Sequence, residues 1–179
     1  MIDNFKFKII KNVLAEEEIK LLKIWFSIKQ RINLNSFDCV QNDNADSMFY
    51  GNPITDALLL KTTPLIEKNI EEELLPTYSY SRIYTKFADL KKHKDRPSCE
   101  ISATLHIGSD GSDWPIYMDG QEIYLKPGDG VVYSGTKVEH WREEFYGDWY
   151  AQVFLHWVLK NGQYKDFYKD KRQHFGIKK

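Results

Sequence analysis

The chain has 179 residues, with 25 Lys plus Arg against 26 Asp plus Glu, for a formal net charge of −1. That length suits one domain with a substantial core, and the balanced charge argues against a general phosphate-binding surface, which needs cationic excess. Hydrophobic residues at 42% and charged residues at 28% exclude disorder over most of the chain.

In chain order, residues 15–32 set Ile19, Leu22 and Phe26 on one side, with Leu21, Trp25, Ile28 and Ile32 beside them. An apolar stripe at this spacing predicts a packing helix. Glu16, Glu17 and Glu18 suit its first turn, where the helix dipole favours anions. Residues 33–53, rich in Asn, Asp and Ser, read as a long loop of the kind that can cover a site. A second helix is predicted from Ile54 to Leu74, burying Leu58, Leu59, Leu65, Ile66 and Ile70 and stopped by Pro76.

Beyond Pro76 the pattern changes to short runs rich in Tyr, Val, Ile and Thr: Tyr78–Phe87, Cys99–Ile107, Ile116–Met118, Glu122–Leu125, Val131–Tyr133, Val138–Phe145 and Trp149–Val158. Asp119-Gly120 and Pro127-Gly128-Asp129-Gly130 separate some of them as turns. Many closely spaced strands predict a sandwich or barrel after the helical part. From Lys165 to Lys179, six Lys/Arg against two Asp read as a solvated tail. No stretch reaches the roughly 18 apolar residues of a membrane span, and MIDNFKFKII lacks the apolar core of a signal peptide. Cys39 and Cys99 sit in no CxxC or Cys/His cluster and read as reduced, buried thiols. The expectation is a cytoplasmic protein.

Chemistry concentrates in His93-Lys94-Asp95. Residues two apart on extended chain project to one side, so His93 and Asp95 can reach one point. A second histidine from a distant strand completes a two-His, one-carboxylate triad, which suits non-haem Fe(II) because it leaves coordination positions open. His140, 45 positions after Asp95, is the candidate. His106 and His156 are its competitors or its neighbours; His106 shares the parity of Glu100, Ser102 and Thr104, and His156 that of Gln152 and Phe154. Trp114, Trp141 and Trp149 are pocket candidates whose ordinary role is core or rim.

Three segments carry a family resemblance. They are Pro76-Thr77-Tyr78-Ser79-Tyr80-Ser81-Arg82-Ile83-Tyr84, His93 through Glu100, and His140-Trp141-Arg142, with Pro127 through Tyr133 between the last two. Together they resemble the 2-oxoglutarate- and Fe(II)-dependent oxygenases of the prolyl-4-hydroxylase type, a microbial and phage group in particular. The resemblance implies an α+β, mainly β fold, a double-stranded β-helix (jelly roll) supported by N-terminal helices. It implies one domain over 1–179, with helical support over 1–75, a jelly-roll core over 76–160 and a tail over 161–179. It further implies Fe(II) held by His93, Asp95 and His140, 2-oxoglutarate as co-substrate and O2 as oxidant. The expected reaction is hydroxylation of a C–H bond, with release of succinate and CO2. Related halogenases lack the carboxylate, so Asp95 favours hydroxylation.

The sequence departs from the family at one position. The cation that pairs with the distal carboxylate of 2-oxoglutarate is expected about ten residues after the second histidine, where this chain has Tyr150. A buried carboxylate without a cation is costly. Arg142 is the candidate replacement, since it shares the side of His140 and offers a planar fork for a carboxylate. Lys86, Arg82 and Arg96 stand behind it. Tyr84 matches the family tyrosine that donates to the same carboxylate. The expected partner is a protein or small-molecule substrate, with no membrane and no extended nucleic acid; the oligomeric state is open. The alternatives are a cupin-like metal-binding jelly roll that needs no 2-oxoglutarate and a non-catalytic binding module.

Overall fold

The computed structural model describes residues 4–33 and 47–177. The first apolar stripe becomes helix α1 (Glu16–Asn33), with its acidic first turn in place. Helix α2 (Pro53–Ile70) begins where the Asn52 side chain accepts the Ile54 N–H at 3.2 Å, satisfying one donor the first turn leaves open. The helix ends earlier than predicted. Glu71 adopts a left-handed conformation (φ 58°) and its N–H turns back to the Glu67 carbonyl, so this cap stops the helix. Pro76 lies instead within a strand. Of the loop expected over 33–53, residues 34–46 and with them Cys39 lie outside the described residues.

The strands are β1 (Phe7–Ile10), β2 (Ser47–Tyr50), β3 (Leu74–Thr85), β4 (Leu90–His93), β5 (Ile101–Ser109), β6 (Ile116–Met118), β7 (Gln121–Ile123), β8 (Gly130–Ser134), β9 (His140–Arg142) and β10 (Trp149–Leu159). They form two antiparallel sheets, ordered β1-β8-β5-β10-β3-β2 and β4-β9-β6-β7. The protein is thus mainly β with supporting helices. Strands β1 and β2 arise from the part of the chain read as helix and loop, and each adds to an edge of the larger sheet.

Side-chain alternation assigns the two faces of the larger sheet. Ile83, Ala103, Leu105, Val132, Val153, Leu155 and Trp157 point outward and pack with Leu22 and Phe26 of α1 and Leu58, Leu59, Ile66 and Ile70 of α2. The other face meets the smaller sheet: Ile116, Met118 and Ile123 pack against Val131 and Tyr133. The helices therefore close one side of the sheet, and the space between the sheets is left for chemistry. Among the described residues, no helix is long and apolar enough to cross a membrane.

The C-terminal segment differs from the solvated tail expected. Lys165–Lys171 holds 3₁₀ turns broken by a kink at Tyr168, Lys169 and Asp170, and Asp170 and Arg172 are buried. Arg172 Nη1 lies 2.8 Å from Asp56 Oδ2, and its Nη2 donates to the Thr77 carbonyl. Asp170 accepts two hydrogen bonds from Arg96 and one from the Tyr50 hydroxyl. Composition reads the segment as solvated because each partner lies far away along the chain.

Candidate metal centre

Strands β4 and β9 pair with His93 directly opposite His140, and the two rings lie 4.3 Å apart between centroids. The extended chain continues past His93 to Asp95, whose N–H donates to the Gly135 carbonyl at 2.9 Å. Asp95 Oδ1 then lies 3.6 Å from Nε2 of both histidines. The expected meeting of His93, Asp95 and His140 is thus present in the geometry, with ligand-type atoms of all three within 4.8 Å of one another.

The tautomers follow from the backbone. His93 Nδ1 lies 2.6 Å from the Lys91 carbonyl and His140 Nδ1 lies 3.1 Å from the Val138 carbonyl. A carbonyl only accepts, so Nδ1 carries the proton in each ring, and each Nε2 presents its lone pair to the shared point. Two such nitrogens and a carboxylate oxygen match the donor set of a divalent iron site with open positions. Burial opposes the charge on Asp95, but the neighbouring His140 and His93 side chains outweigh it and hold the carboxyl well below its usual range. The Asp95 carboxylate beside it raises His93, against its burial.

A second layer fixes the carboxylate. The Ser102 hydroxyl donates to Asp95 Oδ2 at 2.9 Å and accepts from His156 Nδ1 at 2.9 Å. Ser102 and His156 are cross-strand partners on β5 and β10; their inward parity is visible in the sequence, but the link to Asp95 is not. Asp95 also lies near Cys99 and His156, a second group of metal-ligand type. Burial and the nearby Asp95 push the Cys99 thiol up to about 12, and Ser102 already engages both Asp95 and His156. A protonated thiol is a poor ligand, so the first group is the better metal site. Gly135 is a further site residue that sequence reasoning missed: a Cβ there would stand 2.5 Å from Asp95 Oδ2 and would collide with the Cys99 carbonyl.

His156 is buried and its imidazole is pushed down to about 4 by that burial, with Asp95 partly offsetting it. Between the ordinary value of 6.5 and about 4, the unfolded chain binds a proton there that the folded chain does not. Stability of the metal-free protein therefore rises with pH across this window and is lost as pH falls, by about 3 kcal/mol in total. Thermal melts of wild type and His156→Gln in chelator, from pH 7 to 4, should show a steeper loss in wild type. Parallel curves would remove His156 as the cause.

The triad opens on a cavity of about 210 Å³ lined by Tyr78, Tyr80, Arg82, Tyr84, Leu90, Ile116, Tyr133, Phe154 and His156 as well as the three ligand-type residues. No tryptophan lines it. Trp141 points outward and stacks on Tyr117, Trp149 packs against the helix-side core, and Trp114 is buried among Tyr84, Phe145 and Tyr150. A cavity of about 220 Å³ beside His106 and Tyr150 contains none of the triad.

Of the four cations considered from sequence, Lys86 is exposed and Arg96 is engaged by Asp170. Arg82 lines the cavity with its guanidinium 4.1 Å from the Tyr84 ring centroid. Arg142 is 2% exposed and packs over Trp114 and Tyr150, with Nη1 donating to the Trp114 carbonyl. Burial pushes its pKa down. Among the described residues no carboxylate pairs with either guanidinium, and Arg82 Nε, Arg142 Nε and both amide atoms of Gln152 have no hydrogen-bond partner. Buried cations and orphaned donors are costly, and an anionic ligand beside Arg82 answers both costs there. The residues at this end therefore fit 2-oxoglutarate.

No family model matches the chain, and no curated protein matches it. Solved structures do match, and the fold they share with it is that of the 2-oxoglutarate- and Fe(II)-dependent oxygenases. The chain is similar to HygX from Streptomyces hygroscopicus, solved with nickel and 2-oxoglutarate, at 11% identity and a TM-score of 0.68 over 89% of this chain and 85% of that one. It is similar to a Pseudomonas putida prolyl-4-hydroxylase at 17% identity and a TM-score of 0.64, over 90% and 96% of the two chains. The collagen prolyl hydroxylase of Paramecium Bursaria Chlorella virus-1, in a 2-oxoglutarate complex, matches at 11% identity and a TM-score of 0.66, over 88% and 97%. At such identities the likeness is one of fold.

Proposed function

We propose that this chain is an Fe(II)- and 2-oxoglutarate-dependent dioxygenase that hydroxylates an unactivated C–H bond of a protein residue or small metabolite, releasing succinate and CO2. Its two sheets would act as one double-stranded β-helix domain. The observation that carries the reading is the arrangement of His93 and His140, each with Nε2 free and 3.6 Å from one oxygen of Asp95, on a cavity shared with Arg82.

His93, Asp95 and His140 would hold the metal. Bound Fe(II) supplies the coupling of O2 reduction to decarboxylation of 2-oxoglutarate and to C–H oxidation. The protein's part is positional. The Lys91 and Val138 carbonyls keep both imidazoles in the ligating tautomer, and Ser102 keeps Asp95 turned toward them. Tyr84, Arg82 and Arg142 form the cationic end that would receive the distal carboxylate of 2-oxoglutarate. Tyr78, Tyr80, Tyr133 and Phe154 line the cavity with aromatic surface, which limits the water near the reacting carbon. The unpaired Arg82 guanidinium on the cavity favours this reading over a metal-binding jelly roll that needs no 2-oxoglutarate, because such a site leaves that buried cation without an anion.

The experiment is an anaerobic absorbance titration of metal-free protein with Fe(II) and then 2-oxoglutarate. A saturable visible metal-to-ligand charge-transfer band is expected. Fe(II) binding without the band would favour the cupin-like alternative, and no Fe(II) binding would leave a binding module.

A further inference from the structure

The cation that faces the distal carboxylate of the co-substrate is not at the family's position, where this chain has Tyr150. On the oxygenase reading, on which this inference rests, we propose that Arg82 of β3 receives that carboxylate directly. Arg142, the residue singled out by its spacing from His140, then acts through the rings it holds as a positioning residue.

Four observations separate the two arginines. Arg82 lines the cavity that also contains His93, Asp95 and His140, whereas Arg142 does not line it. The Arg142 guanidinium is already engaged, stacked on Trp114 at 4.6 Å and Tyr150 at 5.1 Å and donating to the Trp114 carbonyl. Arg82 lies over the face of Tyr84, at 4.1 Å, and among the described residues its guanidinium donates to no acceptor; its Nε lacks a partner, as does that of Arg142. Directly across the β3–β10 ladder from Arg82 stands Gln152, fully buried with neither amide atom satisfied.

Charge and geometry lead to the same residue. A guanidinium buried without an acid is a standing cost that a carboxylate removes, and its planar fork suits that ligand. Tyr84 lies beneath Arg82 and also packs on Trp114 at 4.8 Å between ring centroids, so it connects the two arginines. Arg142 fixes the position of Trp114, and through it that of Tyr84.

The test uses two 2-oxo acids: 2-oxoglutarate, and 2-oxopentanoate, which has a methyl group where the distal carboxylate would be. Each is titrated anaerobically into Fe(II)-loaded protein and read by its charge-transfer band, without turnover. Wild type should prefer 2-oxoglutarate. Arg82→Gln should weaken 2-oxoglutarate by about ten- to a hundredfold, the scale of a lost charged hydrogen bond, and leave 2-oxopentanoate unchanged. Arg82→Lys should recover part of the preference. Arg142→Gln should keep the preference, shifting both acids alike. Undiminished preference in Arg82→Gln, or its loss only in Arg142→Gln, overturns the assignment while leaving the oxygenase reading intact. Absence of a band with either acid in wild type overturns both.

Discussion

Asp95→Ala is expected to abolish tight Fe(II) binding, and with it any turnover of 2-oxoglutarate. The carboxylate is the one oxygen ligand of the proposed set, and its Oδ1 faces both Nε2 atoms at 3.6 Å. Removing it leaves two neutral imidazoles and no anion to offset a divalent cation. Removing an outer partner of a metal ligand costs about 10–100-fold in affinity, so Ser102→Ala sets a scale that loss of the ligand should exceed. Calorimetry with Fe(II) or Mn(II) under anaerobic conditions reads both variants. Stoichiometric metal retained by Asp95→Ala at wild-type affinity would remove it from the ligand set. An equal loss in both variants would mean that Ser102 matters as much as the carboxylate it holds.

The largest effect on stability is expected away from the metal, at Arg172→Ala. Its guanidinium is buried against Asp56, whose Oδ1 accepts from the Ser79 N–H and hydroxyl and whose Oδ2 accepts from the Gly176 N–H. Breaking one half of a buried pair leaves the other charge uncompensated, at roughly 3–5 kcal/mol. For a domain of this size that lowers Tm by about 2–4 °C per kcal/mol. Gln173→Ala, at the exposed neighbouring residue, should stay within about 0.5 kcal/mol. A Tm for Arg172→Ala equal to that of the Gln173 variant would show that the C-terminal segment adds nothing to the core.

The helices were legible because their apolar stripes recur at helical spacing, and α1 falls within one residue of its predicted span at each end. The strands of the core were legible where Val, Ile and Tyr cluster, as in Ile116–Met118 and Trp149–Leu159. Strand β4 was not, because its sequence is Leu-Lys-Lys-His. No apolar pattern marks it, and it is a strand because β9 supplies its hydrogen-bond partner. Edge strands β1 and β2 escaped for the same reason: pairing, rather than composition, makes them strands.

The sequence by itself determined the candidate ligands and the chemistry they suit, because residue type and spacing carry that information: His93 and Asp95 share an extended segment, and His140 introduces a second imidazole. The family resemblance also implied a cation at the position where Tyr150 stands. Which arginine meets the cavity was decided only by the tertiary structure. Arg82 and Arg142 both face inward, but from different sheets, and only the packing of Trp114, Tyr84 and Tyr150 leaves Arg82 on the cavity wall and engages Arg142 behind it. Long-range pairing also decided the roles of Ser102, Gly135 and Arg172. Each acts on a residue that local spacing does not reveal, and a buried charge or hydroxyl depends on the partner it meets in space.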